Sequence, residues 1–287
     1  MIPYYFTVTA GRCGQATFTE IVRRSVPGVL ALHEEPHVRP VLPRALGDLE
    51  RRFRRRFVET HELLGRGAVL GAFECGDEAA LERFAARRLA WIERQVQRGG
   101  AAIYVDVSKH FVRGMHRPIA RARPDIGVIR LVRDPIVNMR SYGARGKNFG
   151  LDNSSPGCRF NELVLDPDAL SLPEKYLWAW CEVYLRFDRL VEEFALSPAV
   201  EIRTDDLNDT AVLAERFDAL GLPYGEIPTV PPRNTNASQG LGETVVRVED
   251  IELFERFRDR IPARARNRIA YFDGYDPRAL LATGRAA

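Results

Sequence analysis

The chain has 287 residues, of which 45% are hydrophobic, which is enough for a sizeable buried core in one or two domains. Its 42 basic and 39 acidic residues leave a net charge of +3, too small an excess to indicate a nucleic-acid-binding surface on its own. No run approaches the roughly 20 apolar residues that a membrane span needs. This mildly basic balance fits a protein that holds a polyanionic small molecule.

The four cysteines are far apart, and no Cys/His cluster has the spacing of a metal site, so we expect free thiols and no metal. The chain begins directly in an apolar strand pattern without a charged leader. These features lead us to expect a reducing cytoplasm. The abundance of alanine and arginine suggests a bacterial source.

Short apolar runs alternate with helical patterns along the chain. Strands are predicted over 2–9, 29–32, 101–107, 127–132 and 200–203. Helices are predicted over 15–24, 43–64, 77–98, 110–123 and 172–194. A further helix is predicted to begin at 135, another is predicted to end at about 220, and two more are predicted near the C-terminus.

This alternation predicts a three-layer α/β fold, in which helices cover both faces of a central, mainly parallel sheet of about five strands. We expect one domain over 1–287, with a helical insertion at about 43–98. The Gly-, Asn- and Pro-rich stretch at about 143–171 is long for a connection, which favours a functional loop or a lid over an acceptor. In such sheets ligands bind beyond the carboxyl ends of the strands.

The first strand ends in Gly11-Arg12-Cys13-Gly14, here called the glycine turn, and a helix follows. Backbone N–H groups and the helix dipole favour an anion there, and Arg12 adds a fork of donors. An ordinary tight connection would have the same pattern. The Walker A pattern and its lysine are absent, which argues against an ordinary ATPase or kinase.

A second candidate anion-binding segment follows the fourth strand. Arg133 precedes Asp134-Pro135, a typical helix start, and Ser141 lies about two helical turns further on. Spacing alone is equally compatible with a surface arginine and a capping serine.

Together the two segments resemble the PAPS-dependent sulfotransferases (PAPS is 3′-phosphoadenosine 5′-phosphosulfate). In that family a loop of the type [GP]-[RK]-[SC]-G-T-[TS] holds the 5′-phosphosulfate, and R-D-P-x-x-x-x-x-S holds the 3′-phosphate. The resemblance implies a P-loop-NTPase-like fold and transfer of a sulfuryl group from PAPS, with PAP as the product. It implies these donor-binding residues: Gly11, Arg12, Cys13, Gly14, Gln15, Ala16, Thr17, Arg133 and Ser141.

The chain departs from the family pattern at Gln15 and Ala16, where hydroxyl residues are usual. Thr17 supplies a hydroxyl one place later, or Gln15 substitutes for it. Two other regions resemble the family: the aromatic helix around Trp178 and Trp180, and the segment 203–207, which resembles its Y-E-D-L sequence. Because the two tryptophans are two positions apart, we expect one in the core and the other in the acceptor cleft.

The acceptor is expected to be a hydroxyl, or less often an amine, that loses its proton to a nearby base. The resemblance implies a catalytic Glu or His after the second or third strand. Glu35 is the first candidate, followed by Glu34 and His33, and His110 is an alternative. Positive charge for the leaving phosphate is expected from two residues, Lys109 and Arg12.

The acceptor is expected to be a small molecule, a glycan or a lipid rather than a nucleic acid, and the sequence does not indicate an oligomeric state. The arginine-rich run at 51–56 is interpreted as the solvated face of a helix. Two other function classes remain open. One is a non-catalytic nucleotide-binding regulatory or interaction protein, which Gln15 and Ala16 favour. The other is a kinase-like phosphotransferase with an atypical loop.

Overall fold

The computed structural model describes residues 2–36, 42–43, 46–47, 49–50, 53, 67–144, 149–230 and 245–282. Its five described strands form one sheet in the order β2-β3-β1-β4-β5, and every neighbouring pair is parallel. The strands are β1 (Tyr4–Val8), β2 (Val29–His33), β3 (Ile103–Val107), β4 (Gly127–Val132) and β5 (Ala199–Arg203). The predicted parallel, five-stranded α/β architecture is therefore confirmed.

Helices cover both faces of this sheet. They are α1 (Gln15–Ser25), α2 (Ala68–Cys75), α3 (Glu78–Gly99), α4 (His116–Ala122), α5 (Pro135–Gly143), α6 (Leu172–Phe194), α7 (Thr210–Leu220), α8 (Val248–Arg260), α9 (Ala263–Arg266) and α10 (Ala279–Ala282). The predicted helix over 43–64 falls almost entirely outside the described residues. The predicted helix over 77–98 is α3, which begins where Asp77 accepts a hydrogen bond from the Ala80 amide.

Alternate side chains of β1 enter two separate cores, because successive residues of a strand point to opposite faces. Phe6 and Val8 belong to the core that also contains side chains of α3, α4, α6 and α8. Tyr5 belongs to the other core, with Phe18 of α1 and Phe217 of α7. This explains why the β1 sequence is apolar at almost every position instead of alternating.

The described part of the predicted lid, residues 149–171, is anchored to α6 by a buried polar network. The Glu182 carboxylate accepts from the amides of Glu162 at 3.1 Å and Leu163 at 2.7 Å. Arg186 pairs with Glu182 and donates to Asn161 Oδ1 at 2.9 Å. This stretch has little regular structure, yet buried hydrogen bonds fix it as a wall beside α6.

The two tryptophans of α6 are both buried, with 1% of Trp178 and 3% of Trp180 exposed. The Trp178 indole donates to the Leu163 carbonyl, and the Trp180 indole donates to the Arg133 carbonyl. The expectation that one of them lines an open cleft was therefore wrong. The difference arises because neighbouring elements cover both sides of α6.

No helix in the described ranges has the length and apolarity to cross a membrane.

His116, at the start of α4, is buried beside the rings of Phe73 and Phe111. Burial lowers the pKa of His116 well below its usual value, and the charges of Arg186 and Arg117 add to this effect. The imidazole is therefore neutral in the folded protein, whereas in the unfolded chain it takes up a proton as the pH falls through about 6.5.

We expect this difference to destabilise the fold in mild acid. As the pH falls below about 6.5, the free energy of unfolding of the wild type should decrease by up to about 1.4 kcal/mol per pH unit relative to that of His116→Gln, which has no imidazole to protonate. Urea unfolding of the wild type and His116→Gln between pH 7.5 and 5 measures this. Identical pH dependence of the two proteins would contradict the buried neutral imidazole.

Candidate functional site

The carboxyl ends of the strands bring the predicted site residues to one edge of the sheet. β1 lies between β3 and β4, so the glycine turn stands between the segment that begins at Ser108 and the one that begins at Arg133. β2 lies next to β3, with His33 paired to Val107, and so delivers Glu34 and Glu35 to the same edge. This edge is where ligands bind in open parallel sheets.

The glycine turn has a left-handed backbone, with φ of 88° at Gly11, 61° at Arg12 and 76° at Gly14. Gly14 is the N-cap of α1, and no side chain in the described ranges caps this helix end. The amides of the first turn of α1, which includes Gln15, Ala16 and Thr17, are thus open to an anion. The Gln15 side-chain nitrogen is buried and has no hydrogen-bond partner among the described residues.

Three consecutive carbonyls in and before the turn accept hydrogen bonds from the segment that begins at Arg133. Tyr142 donates to the Ala10 carbonyl at 2.7 Å, and the Asn138 side chain donates to the Gly11 carbonyl at 2.6 Å. Arg133 Nη1 donates to the Arg12 carbonyl at 3.3 Å. The two segments that the sequence analysis singled out are thus in direct contact.

Ser141 also reaches the turn, since its hydroxyl accepts a hydrogen bond from Arg12 Nε at 3.1 Å. Arg133 and Ser141 lie at opposite ends of α5, yet both contact Arg12. Burial lowers the pKa of Arg133, and the negative groups near it offset this only in part. A bound anion would stabilise this half-buried guanidinium.

Cys13 is buried, and its thiol donates to the Gly11 carbonyl at 3.2 Å. Burial raises the pKa of this thiol, and the two nearby arginines reduce the rise without cancelling it. Cys13 therefore remains a protonated thiol near neutral pH and has a structural place in the turn.

The two candidate carboxylates after β2 face different neighbours. Glu35 follows Glu34, whose φ is 51°, and the Glu35 carbonyl accepts from Arg88 Nη1 at 2.7 Å. The pKa of Arg88 is raised overall: burial alone would lower it, but the charges of Asp106 and, to a lesser extent, Glu35 more than offset this effect. Burial raises the pKa of Tyr142, and the Glu34 charge adds to that rise. The Glu34 charge is thus one of several near Tyr142, and the Glu35 charge is one of several near Arg88.

The segment after β3 brings two buried cations to the turn. Lys109 Nζ pairs with Asp152 at 2.8 Å, and Arg113 Nη1 lies 3.7 Å from the other oxygen of that carboxylate. The Lys109 side chain passes over Gly11, where a Cβ atom would lie 3.0 Å from Lys109 Cδ. His110 is 1% exposed and lines a small cavity with Arg88.

Four residues of this site were missed by the sequence analysis: Asn138, Tyr142, Arg113 and Asp152. Asn138, Ser141 and Tyr142 share a helix face with Asp134, and this polar stripe at helical spacing was a usable signal. Nothing local distinguishes Asp152 from other polar residues of its loop. In the ranges that the structure describes, no group of three or more His, Cys, Asp or Glu side chains could hold a metal ion.

The fold is similar to that of a solved structure, the sulfotransferase domain from the Synechococcus PCC 7002 olefin synthase. The match has a TM-score of 0.50 and covers 96% of this chain and 95% of that chain. This chain has a sulfotransferase-like fold. The sequence identity is 16%, so the likeness shows the fold and leaves the reaction open. No family model matches the sequence, and neither does any curated protein.

The tight approach of Tyr142 to the glycine turn generates a stability prediction. A Cβ atom at Gly11 would overlap the Tyr142 hydroxyl, whereas at Gly100, which also has positive φ, it would meet nothing within 4 Å. Both Gly→Ala variants impose a left-handed backbone on alanine, at a cost of about 1 kcal/mol. Gly11→Ala should cost about 1–3 kcal/mol more, through the overlap. Urea unfolding measures both, and equal losses would contradict the packing of the turn.

Proposed function

We propose that this chain is a sulfotransferase that moves a sulfuryl group from PAPS to a hydroxyl, or less often an amine, of a small-molecule, glycan or lipid acceptor. In this reaction the acceptor oxygen bonds to sulfur as the bond from sulfur to the bridging oxygen breaks. The bridging electron pair leaves with PAP, and the acceptor proton passes to a carboxylate of the protein. The whole chain would act as a single domain.

The observation that carries this proposal is the contact between two anion-binding segments that come from adjacent strands. Arg133 touches the backbone of the glycine turn, and Ser141 touches the Arg12 side chain. This contact supports one ligand with two anionic ends. Its 5′-phosphosulfate would lie on the glycine turn and residues 15–17, and its 3′-phosphate on Arg133 and Ser141.

The charges around the turn fit the donor. Two groups without a side-chain partner among the described residues, the start of α1 and the Gln15 side-chain amide, offer hydrogen-bond donors to phosphate oxygens. Arg12 and Lys109 would stabilise negative charge on the oxygen that leaves with PAP. Preorganised cations are effective because their charges are held in place before the reaction, as the pairing with Asp152 holds Lys109.

For the base we choose Glu34, although the sequence made Glu35 the first candidate. Glu34 acts on Tyr142 beside the glycine turn, whereas Glu35 acts on Arg88 and is tethered through its carbonyl. A base must lie within hydrogen-bond reach of the acceptor proton, at the side of the donor's sulfur. We place Glu34 there on the ground of its charge near Tyr142, and His33, at the end of β2, and His110, after β3, are the remaining alternatives.

The decisive experiment is a calorimetric titration of the protein with PAP, with ATP and AMP as controls. The proposal expects PAP to bind with a Kd in the micromolar range and both controls to bind much more weakly. ATP binding that PAP does not displace would instead support a phosphotransferase. PAP binding without consumption of PAPS for any acceptor would support a regulatory nucleotide-binding protein.

Arg133 provides a site-specific test of the same proposal. Arg133→Ala should weaken PAP binding by about tenfold to a hundredfold, because a charge-assisted contact to phosphate is lost. Arg256→Ala, at an exposed arginine of α8, is the matched control and should leave the Kd unchanged. Equal affinities of the wild type and Arg133→Ala for PAP would contradict the placement of the 3′-phosphate at Arg133.

The choice of base is tested with the acceptor identified by a screen using PAPS. Glu34→Gln should lower kcat by about 10²-fold or more while PAP affinity is retained, because only proton removal is affected. Glu35→Gln is the matched neighbour and should retain most of the activity. Loss of activity in Glu35→Gln alone would assign the base to Glu35.

A further inference from the structure

We propose that Tyr275 is a positioning residue of the donor site, which holds the Asp134 carboxylate away from Arg133 and so leaves this guanidinium for the 3′-phosphate. The inference rests on the proposed function and deepens it. It gives the C-terminal segment 269–275 a part in nucleotide recognition, which it performs through Asp134.

Arg133 and Asp134 are neighbours of opposite charge, yet they do not pair. Burial has the largest effect on the pKa of each, and the charge of each is among the smaller effects on the pKa of the other. The two groups are therefore close enough to interact. Arg133 forms no ion pair with a carboxylate of the described residues, and its guanidinium donates to the Arg12 carbonyl at 3.3 Å. The reason lies in the partners of Asp134.

Both oxygens of the Asp134 carboxylate are engaged. Oδ1 accepts from the amides of Ile136 at 2.9 Å and Val137 at 3.0 Å, which makes Asp134 the N-cap of α5. Oδ2 accepts from the Tyr275 hydroxyl at 2.6 Å. Burial raises the pKa of Asp134, and the hydrogen bond from Tyr275 is the largest effect that opposes this rise. The helix start thus fixes one oxygen, and Tyr275 holds the oxygen that would otherwise be open to a cation.

The Tyr275 ring is itself held by its neighbours. It packs edge-on against Phe254 of α8 and lies beside Tyr271, with ring centroids 5.5 Å apart in both pairs. Tyr271 covers the ring of Trp180, whose indole donates to the Arg133 carbonyl at 2.8 Å. The segment therefore supports the backbone that carries the guanidinium as well as the carboxylate beside it. Because the ring is packed in place, little side-chain entropy is lost when its hydroxyl forms the hydrogen bond.

The Tyr275 hydroxyl decides which partner Arg133 has. With the hydroxyl present, a phosphate meets a guanidinium that no described carboxylate neutralises. Without it, Asp134 Oδ2 loses its donor, and rotation of the Arg133 side chain toward this oxygen would replace the lost hydrogen bond. The phosphate would then compete with Asp134 for Arg133. This loss concerns the 3′-phosphate, because the start of α1, proposed for the 5′-phosphosulfate, does not involve Tyr275.

The experiment measures Kd for PAP and AMP in the wild type, Tyr275→Phe, Asp134→Asn and the double variant. Tyr275→Phe should weaken PAP binding about threefold to tenfold, because the freed carboxylate competes for Arg133. AMP has no 3′-phosphate, so in competition at high concentration it should bind wild type and Tyr275→Phe alike. Asp134→Asn keeps an effective N-cap oxygen without the charge and should bind PAP at least as tightly as the wild type. Adding Tyr275→Phe to Asp134→Asn should leave the Kd for PAP unchanged.

Tyr224→Phe is the matched control, because Tyr224 also donates to an aspartate, Asp218, at 3.2 Å, and it should leave both constants unchanged. Three results would overturn the inference: wild-type PAP affinity in Tyr275→Phe, an equal loss of PAP and AMP affinity, or the same loss when Tyr275→Phe is added to Asp134→Asn. Weaker PAP binding by Asp134→Asn alone would also overturn it, since the carboxylate would then support Arg133 and not compete with the ligand. Absence of PAP binding to the wild type would contradict the proposed function itself.

Discussion

The site depends on the capture of three consecutive carbonyls, those of Ala10, Gly11 and Arg12, by side chains of the segment that follows β4. In a trans peptide the next N–H points away from the carbonyl. Drawing the Gly11 and Arg12 carbonyls toward α5 therefore turns the amides of Arg12 and Cys13 in the opposite direction. The left-handed φ angles of the turn allow this arrangement, and the start of α1 continues it. The turn becomes a set of donors because the segment after β4 holds its carbonyl side.

The electrostatics follow from the same arrangement. Arg12, Lys109, Arg113 and Arg133 all meet within or beside the turn, and burial lowers the pKa of Arg133. The carboxylate of Asp152 offsets part of this charge. Placing these cations close together costs energy, and an anionic ligand would offset part of that cost.

The strands and the main helices were predictable because the apolar runs and caps that specify them are local. Strand β4 and helix α6 have the predicted bounds, 127–132 and 172–194. The glycine turn and Arg133 were also predictable, since each stands directly after a strand. The partners Asn138, Tyr142, Arg113 and Asp152 were not identified, because their roles arise from contacts between distant segments. The burial of Trp180 was missed for the same reason, as Tyr271 and Phe272, from a C-terminal segment, cover its ring.

Helix α6 contacts the segment after β4 and the wall through different residues. Trp180 holds the carbonyl of Arg133, whereas Glu182 and Arg186 hold the wall. The wall is held by the amides of Glu162 and Leu163 and by buried side chains such as those of Phe149 and Asn161, whereas Phe160 and Val164 are exposed. Its surface can therefore change in shape and polarity over evolutionary time while the glycine turn stays the same. One scaffold could in this way be adapted to new acceptors by substitutions that leave the rest of the fold unaltered.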